Sequence, residues 1–185
     1  QTGDLVALQH EAVTRLERLM NISEGRAETH ESPKSHAAYE DYLAGIGYFQ
    51  REDKPGNLDR AISALQNATK TDPRFALAFA RMAQIYIVKY RLTSDPQWLE
   101  QAEKFSRQAA EIDDRVPSTY VALAQIHSLT GNHDLAIQEY SHALALDPED
   151  GNALNGLAHS LKNEGRNAEA EAAYIKAASL RPNDW

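Results

Sequence analysis

The sequence predicts an all-α chain built as a stack of helical pairs. Three observations carry this. Residues 131–150 (GNHDLAIQEYSHALALDPED) and 165–184 (GRNAEAEAAYIKAASLRPND) place Gly131 and Gly165, Ala136 and Ala170, Tyr140 and Tyr174, Ala143 and Ala177, and Pro148 and Pro182 at one 34-residue interval. Apolar residues elsewhere recur at steps of three and four, the period of a helix face. Gly and Pro fall between these runs rather than inside them.

The first element is a helix over residues 4–21. Leu5, Leu8, Ala12, Leu16, Leu19 and Met20 form a single stripe, and Asp4 is placed to cap it. Residues 22–35 have almost no apolar content and read as a linker. Four helical pairs are then expected. Their helices are 37–49 and 58–71, 76–90 and 98–112, 118–129 and 134–146, and 152–163 and 168–180. The domain plan is therefore 1–35 for the amphipathic helix and linker, and 36–185 for the array. The array divides into units of about 36–73, 74–114, 115–148 and 149–182, with the start of a further unit after that. Small residues such as Ala124 and Ala136 suit close helix crossings, and Tyr140 and Leu123 fill the space beside them. Gly131 and Gly165 suit the left-handed backbone that ends a helix, and Pro148 and Pro182 stop one. Asp150 and Asp184 are placed to cap the helices that follow.

This pattern resembles the tetratricopeptide repeat, a 34-residue helix–turn–helix unit. The matching residues of the third unit are Tyr120, Leu123, Ala124, Gly131, Ala136, Tyr140, Ala143 and Pro148. The fourth unit carries Leu154, Leu157, Ala158, Gly165, Ala170, Tyr174, Ala177 and Pro182. The second has Phe79, Met82, Ala83, Tyr86, Ala102 and Ala109, with Asp114 in the slot of the proline. The first has Tyr39, Tyr42, Leu43, Ala61, Leu65, Ala68 and Pro73. The resemblance implies a right-handed superhelical solenoid of about four units, preceded by one extra amphipathic helix. It also implies a concave groove lined by the first helix of each unit.

Carried onto this sequence, the groove positions are Ala80, Gln84, Ile87 and Val88, then Val121, Gln125, Ser128 and Leu129, then Asn152, Asn155, His159, Lys162 and Asn163. Amide side chains both donate to and accept from a peptide backbone, so this surface suits a peptide or protein ligand. The family's clamp for a C-terminal carboxylate uses Lys and Asn. Here Ala80 and Val121 stand at the lysine positions, and Gln84 and Gln125 at the asparagine positions. A chaperone-tail clamp is therefore not expected.

Nothing in the sequence points to catalysis or to a cofactor. There is no cysteine, which removes thiolate chemistry and disulfides. No G-x-S-x-G, P-loop or H-E-x-x-H motif is present. His127 and His133 fall at positions facing the helix packing, His142 faces outward, and His159 lies on a first helix, so no metal set converges. Carboxylates at Glu11, Asp59 and Glu100 fit solvated helix faces. A net charge of −8 disfavours nucleic acid and anionic membranes as partners. No apolar run approaches a membrane span, no leader peptide is evident, and a cytoplasmic location is expected.

A narrower resemblance rests on DLVALQHEAVTRLERL and LDRAISALQNATKTDPRFALAFARMA. This order is similar to the repeat region of large bacterial signalling proteins, including serine/threonine kinases, adenylate cyclases and transcription regulators. It implies a non-enzymatic interaction scaffold whose output lies elsewhere in a longer chain. Two other functions fit the same residues: a substrate-positioning arm of an enzyme, and a self-association module using the open end at Trp185 or the helix 4–21.

Overall fold

A computed structural model describes residues 35–180. The expected helix 4–21, most of the linker, and the segment 181–185 with Asp184 lie outside the described residues. Eight helices follow in order: α1 (His36–Phe49), α2 (Asn57–Thr71), α3 (Ala76–Thr93), α4 (Gln97–Ile112), α5 (Pro117–Leu129), α6 (His133–Leu146), α7 (Gly151–Asn163) and α8 (Asn167–Ser179). They pack as the pairs α1/α2, α3/α4, α5/α6 and α7/α8. Each pair leans on the next through α2 with α3, α4 with α5 and α6 with α7, while α3, α5 and α7 also touch in sequence.

The repeating alanines make this spacing possible. Ala61, Ala102, Ala136 and Ala170 hold equivalent places on the second helices, and all are buried. So are Ala68, Ala109, Ala143 and Ala177 two turns later. Methyl-sized side chains let helix backbones approach, and larger neighbours such as Leu65, Met82 and Tyr140 fill the flanks.

The turns follow from the same logic. Gly131 and Gly165 have φ of 80° and 76°. The next amide reaches back across the helix end, Asn132 N to His127 O at 2.8 Å and Arg166 N to Leu161 O at 2.9 Å. This is the closure that a left-handed residue allows. At the unit boundaries an aspartate side chain repeats one contact. Asp72 Oδ1 accepts from Arg74 N, Asp113 Oδ1 from Arg115 N, and Asp147 Oδ1 from Glu149 N, at 3.1, 3.0 and 3.2 Å. The aspartate makes the turn, so the second unit does without proline at Asp114. Asp150 caps α7 as expected, accepting from Asn152 N at 2.8 Å and Ala153 N at 3.1 Å.

Two expectations are corrected. α3 continues three residues past Tyr90 and ends at Ser94, a non-glycine residue in the left-handed region with φ 55°. In the first unit, Gly45 rather than Leu43 holds the crossing with α2. A Cβ on Gly45 would lie 2.8 Å from Leu65 Cγ and 3.3 Å from the Ala61 carbonyl oxygen. Leu43 only packs against the edge of the core. The register of α1 thus moves by two residues, and Tyr39, Tyr42, Ile46 and Phe49 take the places that continue the first-helix face.

Candidate functional site: the face of the first helices

The face carrying the expected ligand-binding residues is built by α1, α3, α5 and α7. The structure divides those residues into two groups. Ile87 and Val121 are 1% and 3% exposed, and Ala80 is fully buried. These three belong to the core, because the packing of α3 against α5 covers them. As groove residues they are corrected: their side chains are not offered to a ligand. Gln84, Val88, Gln125, Ser128 and Leu129 are partly exposed, while Asn152, Asn155, His159, Lys162 and Asn163 are exposed.

Within the accessible group, bonding separates the residues further. Gln84 accepts from Arg81 through Oε1 at 2.8 Å. His159 meets the Tyr174 ring edge-on, with centroids 5.5 Å apart. The side chains of Gln125, Asn155 and Lys162 make no hydrogen bond or ion pair among the described residues. The face therefore changes from tied polar groups at α3 to uncommitted amides and one lysine at α5 and α7.

Sequence reasoning missed the aromatic end of this face. Tyr42 lies 5.0 Å from the Phe75 ring and 6.3 Å from the Tyr39 ring. The Tyr42 hydroxyl accepts from Arg81 Nε at 3.4 Å. Tyr39 and Tyr42 were recognised as repeat residues, but the misplaced register of α1 hid their place on this face, since a glycine at the crossing carries no apolar signal.

Other charged and aromatic clusters serve packing. Lys89 Nζ sits 4.0 Å from the Trp98 ring centre and 2.7 Å from Asp59 Oδ1. Phe105 and Trp98 flank the Tyr86 ring at 5.6 and 5.8 Å. Burial raises the Tyr86 phenol above its ordinary range, and the Asp59 charge adds to that. His142 is exposed, as expected of an outward-facing residue, and its ring also stacks on Tyr120 with centroids 3.9 Å apart. Among the described residues, no three His, Asp or Glu side chains gather as a metal site would require. No helix among them is long and apolar enough to cross a membrane.

Known proteins share this arrangement. The family model described as tetratricopeptide repeat matches residues 117–150 and 151–184. Small glutamine-rich tetratricopeptide repeat-containing protein 2 of Mycosarcoma maydis is 34% identical over 76 residues, 41% of this chain and 22% of that protein. Superkiller protein 3 of Schizosaccharomyces pombe is 24% identical over 178 residues, covering 78% of this chain and 13% of that protein. The chain thus spans less than a quarter of the length of either relative. Among solved structures, Pseudomonas aeruginosa pilF aligns over 80% of this chain and 63% of its own, with TM-score 0.66 and 23% identity. MamA aligns over 78% of each chain, with TM-score 0.58 and 18% identity. The first repeat domain of Spaghetti (RPAP3), solved bound to the HSP90 peptide SRMEEVD, aligns over 74% of this chain and 98% of its own, with TM-score 0.58 and 20% identity. Residues 117–184 are tetratricopeptide repeats, and the described helices form an all-α tetratricopeptide-repeat stack.

Proposed function

We propose that this chain is a non-enzymatic scaffold that holds a peptide or protein segment along the face of α1, α3, α5 and α7. The observation that carries this reading is the row of uncommitted side chains Gln125, Asn155 and Lys162 on successive first helices. Each amide can both donate and accept, which suits an extended backbone. The peptide complex of the RPAP3 repeat domain supports the same use of a similar fold. Binding in the micromolar range is expected, because ordering a flexible segment offsets much of the contact energy. The resemblance of the chain to bacterial signalling proteins supports a cytoplasmic place within a longer chain, with the array as its interaction arm over 36–185. The full reading frame tests that part.

The binding face is tested with peptides selected from a displayed random 12-residue library on the immobilised chain. Replacing Gln125, Asn155 and Lys162 together by glutamate should weaken the selected peptides by about tenfold or more. Unchanged dissociation constants with intact helix content would refute the reading.

A further inference from the structure

Asn155 is the one asparagine of the sequence that is followed by glycine. It stands in the second turn of α7, exposed, and its side chain makes no hydrogen bond among the described residues. The glycine after it is demanded by packing, since a Cβ on Gly156 would run into the Tyr140 ring. The pair has a chemical consequence. The backbone nitrogen of the following residue can attack the asparagine side-chain carbonyl carbon, and glycine offers the least hindered nitrogen and the freest backbone. Asp150 also precedes a glycine, but its Oδ1 is held by Asn152 N and Ala153 N.

The helix holds this reaction back. In α7 the Gly156 amide points along the axis toward the carbonyl of Asn152, and side chains do not face their immediate neighbours. The chain must open here before the two atoms meet. The composition of α7 favours such opening, because it carries Gly151 and Gly156, and glycine is a poor helix former. Its partner α8 buries Ala170 and Ala177 alone. An opening confined to this pair therefore costs less than opening the whole stack.

We propose that Asn155 is a site of spontaneous deamidation, reached through local opening of α7. Gly156 N bonds to Asn155 Cγ, and a succinimide ring closes. The side-chain nitrogen leaves as ammonia, taking the proton that the backbone nitrogen gives up. Water then opens either carbonyl of the ring, giving aspartate or isoaspartate. One water enters and one ammonia leaves, with no change of oxidation state. Either product puts a carboxylate on α7, and isoaspartate also adds a methylene to the backbone, which breaks the ladder of the helix. On the proposed binding face, an amide that donates and accepts becomes a group that only accepts. That consequence rests on the binding reading above, and the reaction itself does not.

The test incubates the full 185-residue chain at neutral pH. Mass spectrometry follows the fragment carrying residue 155, with aspartate and isoaspartate separated by chromatography. A free peptide of residues 150–160 gives the unprotected rate. Conversion in the chain should be at least about tenfold slower than in the peptide. Asp150→Ala weakens the start of α7 and should raise the rate about fivefold, while Asp150→Ser keeps a cap and should leave it unchanged. Ile85→Val, buried on α3, should also leave it unchanged. Hydrogen exchange at the Gly156 amide should change in step with each rate. Conversion as fast as in the peptide, or none in the Asp150→Ala chain once the peptide is spent, would overturn the inference. Equal acceleration by Ile85→Val and Asp150→Ala would overturn it too, because the opening would then be global. Deamidated chains, once separated, should bind the selected peptides more weakly. Unchanged binding would count against the part of Asn155 in the binding face and leave the modification standing.

Discussion

A methyl group added at Gly156 would lie 2.2 Å from Cζ of Tyr140 and 2.4 Å from its hydroxyl oxygen. The ring of Tyr140 is 3% exposed, so it cannot move without disturbing packed neighbours. The glycine on α7 and the tyrosine on α6 are a size-matched pair, and they join the third unit to the fourth. Gly156→Ala should therefore destabilise the chain by about 1–3 kcal/mol, although alanine favours a helix more than glycine does. Chemical denaturation measures this. The cost should shrink in a Tyr140→Ala background, where the added methyl enters a space already emptied.

Tyr140 also predicts a pH effect. Burial outweighs the nearby Arg91 charge and pushes its phenol from 10.0 up to about 12. The folded state therefore prefers the protonated ring, and the unfolded state releases its proton first. The stability linked to this residue is complete below about pH 10 and falls away as the pH rises to about 12. The loss should be on the order of 2–3 kcal/mol. Tyr140→Phe should lose less stability between pH 9.5 and pH 11.5 than the parent chain in matched denaturant titrations, since phenylalanine has no proton to release.

At Gly131 and Gly165, an added Cβ would meet no atom within 4 Å. Any cost of substitution there is backbone strain alone. Gly131→Ala should cost about 1–2 kcal/mol, Gly131→Asn less, and Gly131→Val more. A thermal melt series in that order checks it. Three equal midpoints would show that the turn relaxes out of the left-handed region.

Asp150→Ala removes both side-chain bonds to the first turn of α7. The expected loss is about 1 kcal/mol, with Asp150→Asn close to neutral. Hydrogen exchange at Asn152 and Ala153 should rise in the alanine variant only.

Much of this was legible in the residues, for physical reasons that also explain the failures. The third and fourth units repeat at 34 residues because a short glycine turn leaves no slack, so Ala136 and Ala170 fall in step. The first unit was misread because hydropathy marks Tyr39, Tyr42 and Leu43 strongly and cannot mark Gly45 at all. Twenty-eight residues separate Gly45 from Pro73, against 24 between Ala124 and Pro148, so a longer turn absorbs the difference. Ile87 and Val121 were assigned to the groove by position. Whether such a position is open depends on how closely neighbouring first helices approach, a distance that no single sequence encodes. The contact between Arg81 and Tyr42 was hidden for a related reason, since the two stand 39 residues apart and meet only through the stacking of units.

The core also changes along the stack. α3 buries nine residues, among them Phe79, Met82, Ile85 and Ile87, whereas α8 buries Ala170 and Ala177. Because each pair touches only its neighbours, such an array need not open all at once. Protection should therefore decline from the second unit toward the fourth, with α7 and α8 exchanging their amides through local openings while α3 still holds. On that view the exposed residues Asn155 and Lys162 ride on the softest described part of the chain, and Arg81 on the stiffest. A segment held along this face, as proposed above, would meet a stiff surface at α3 and an adaptable one at α7.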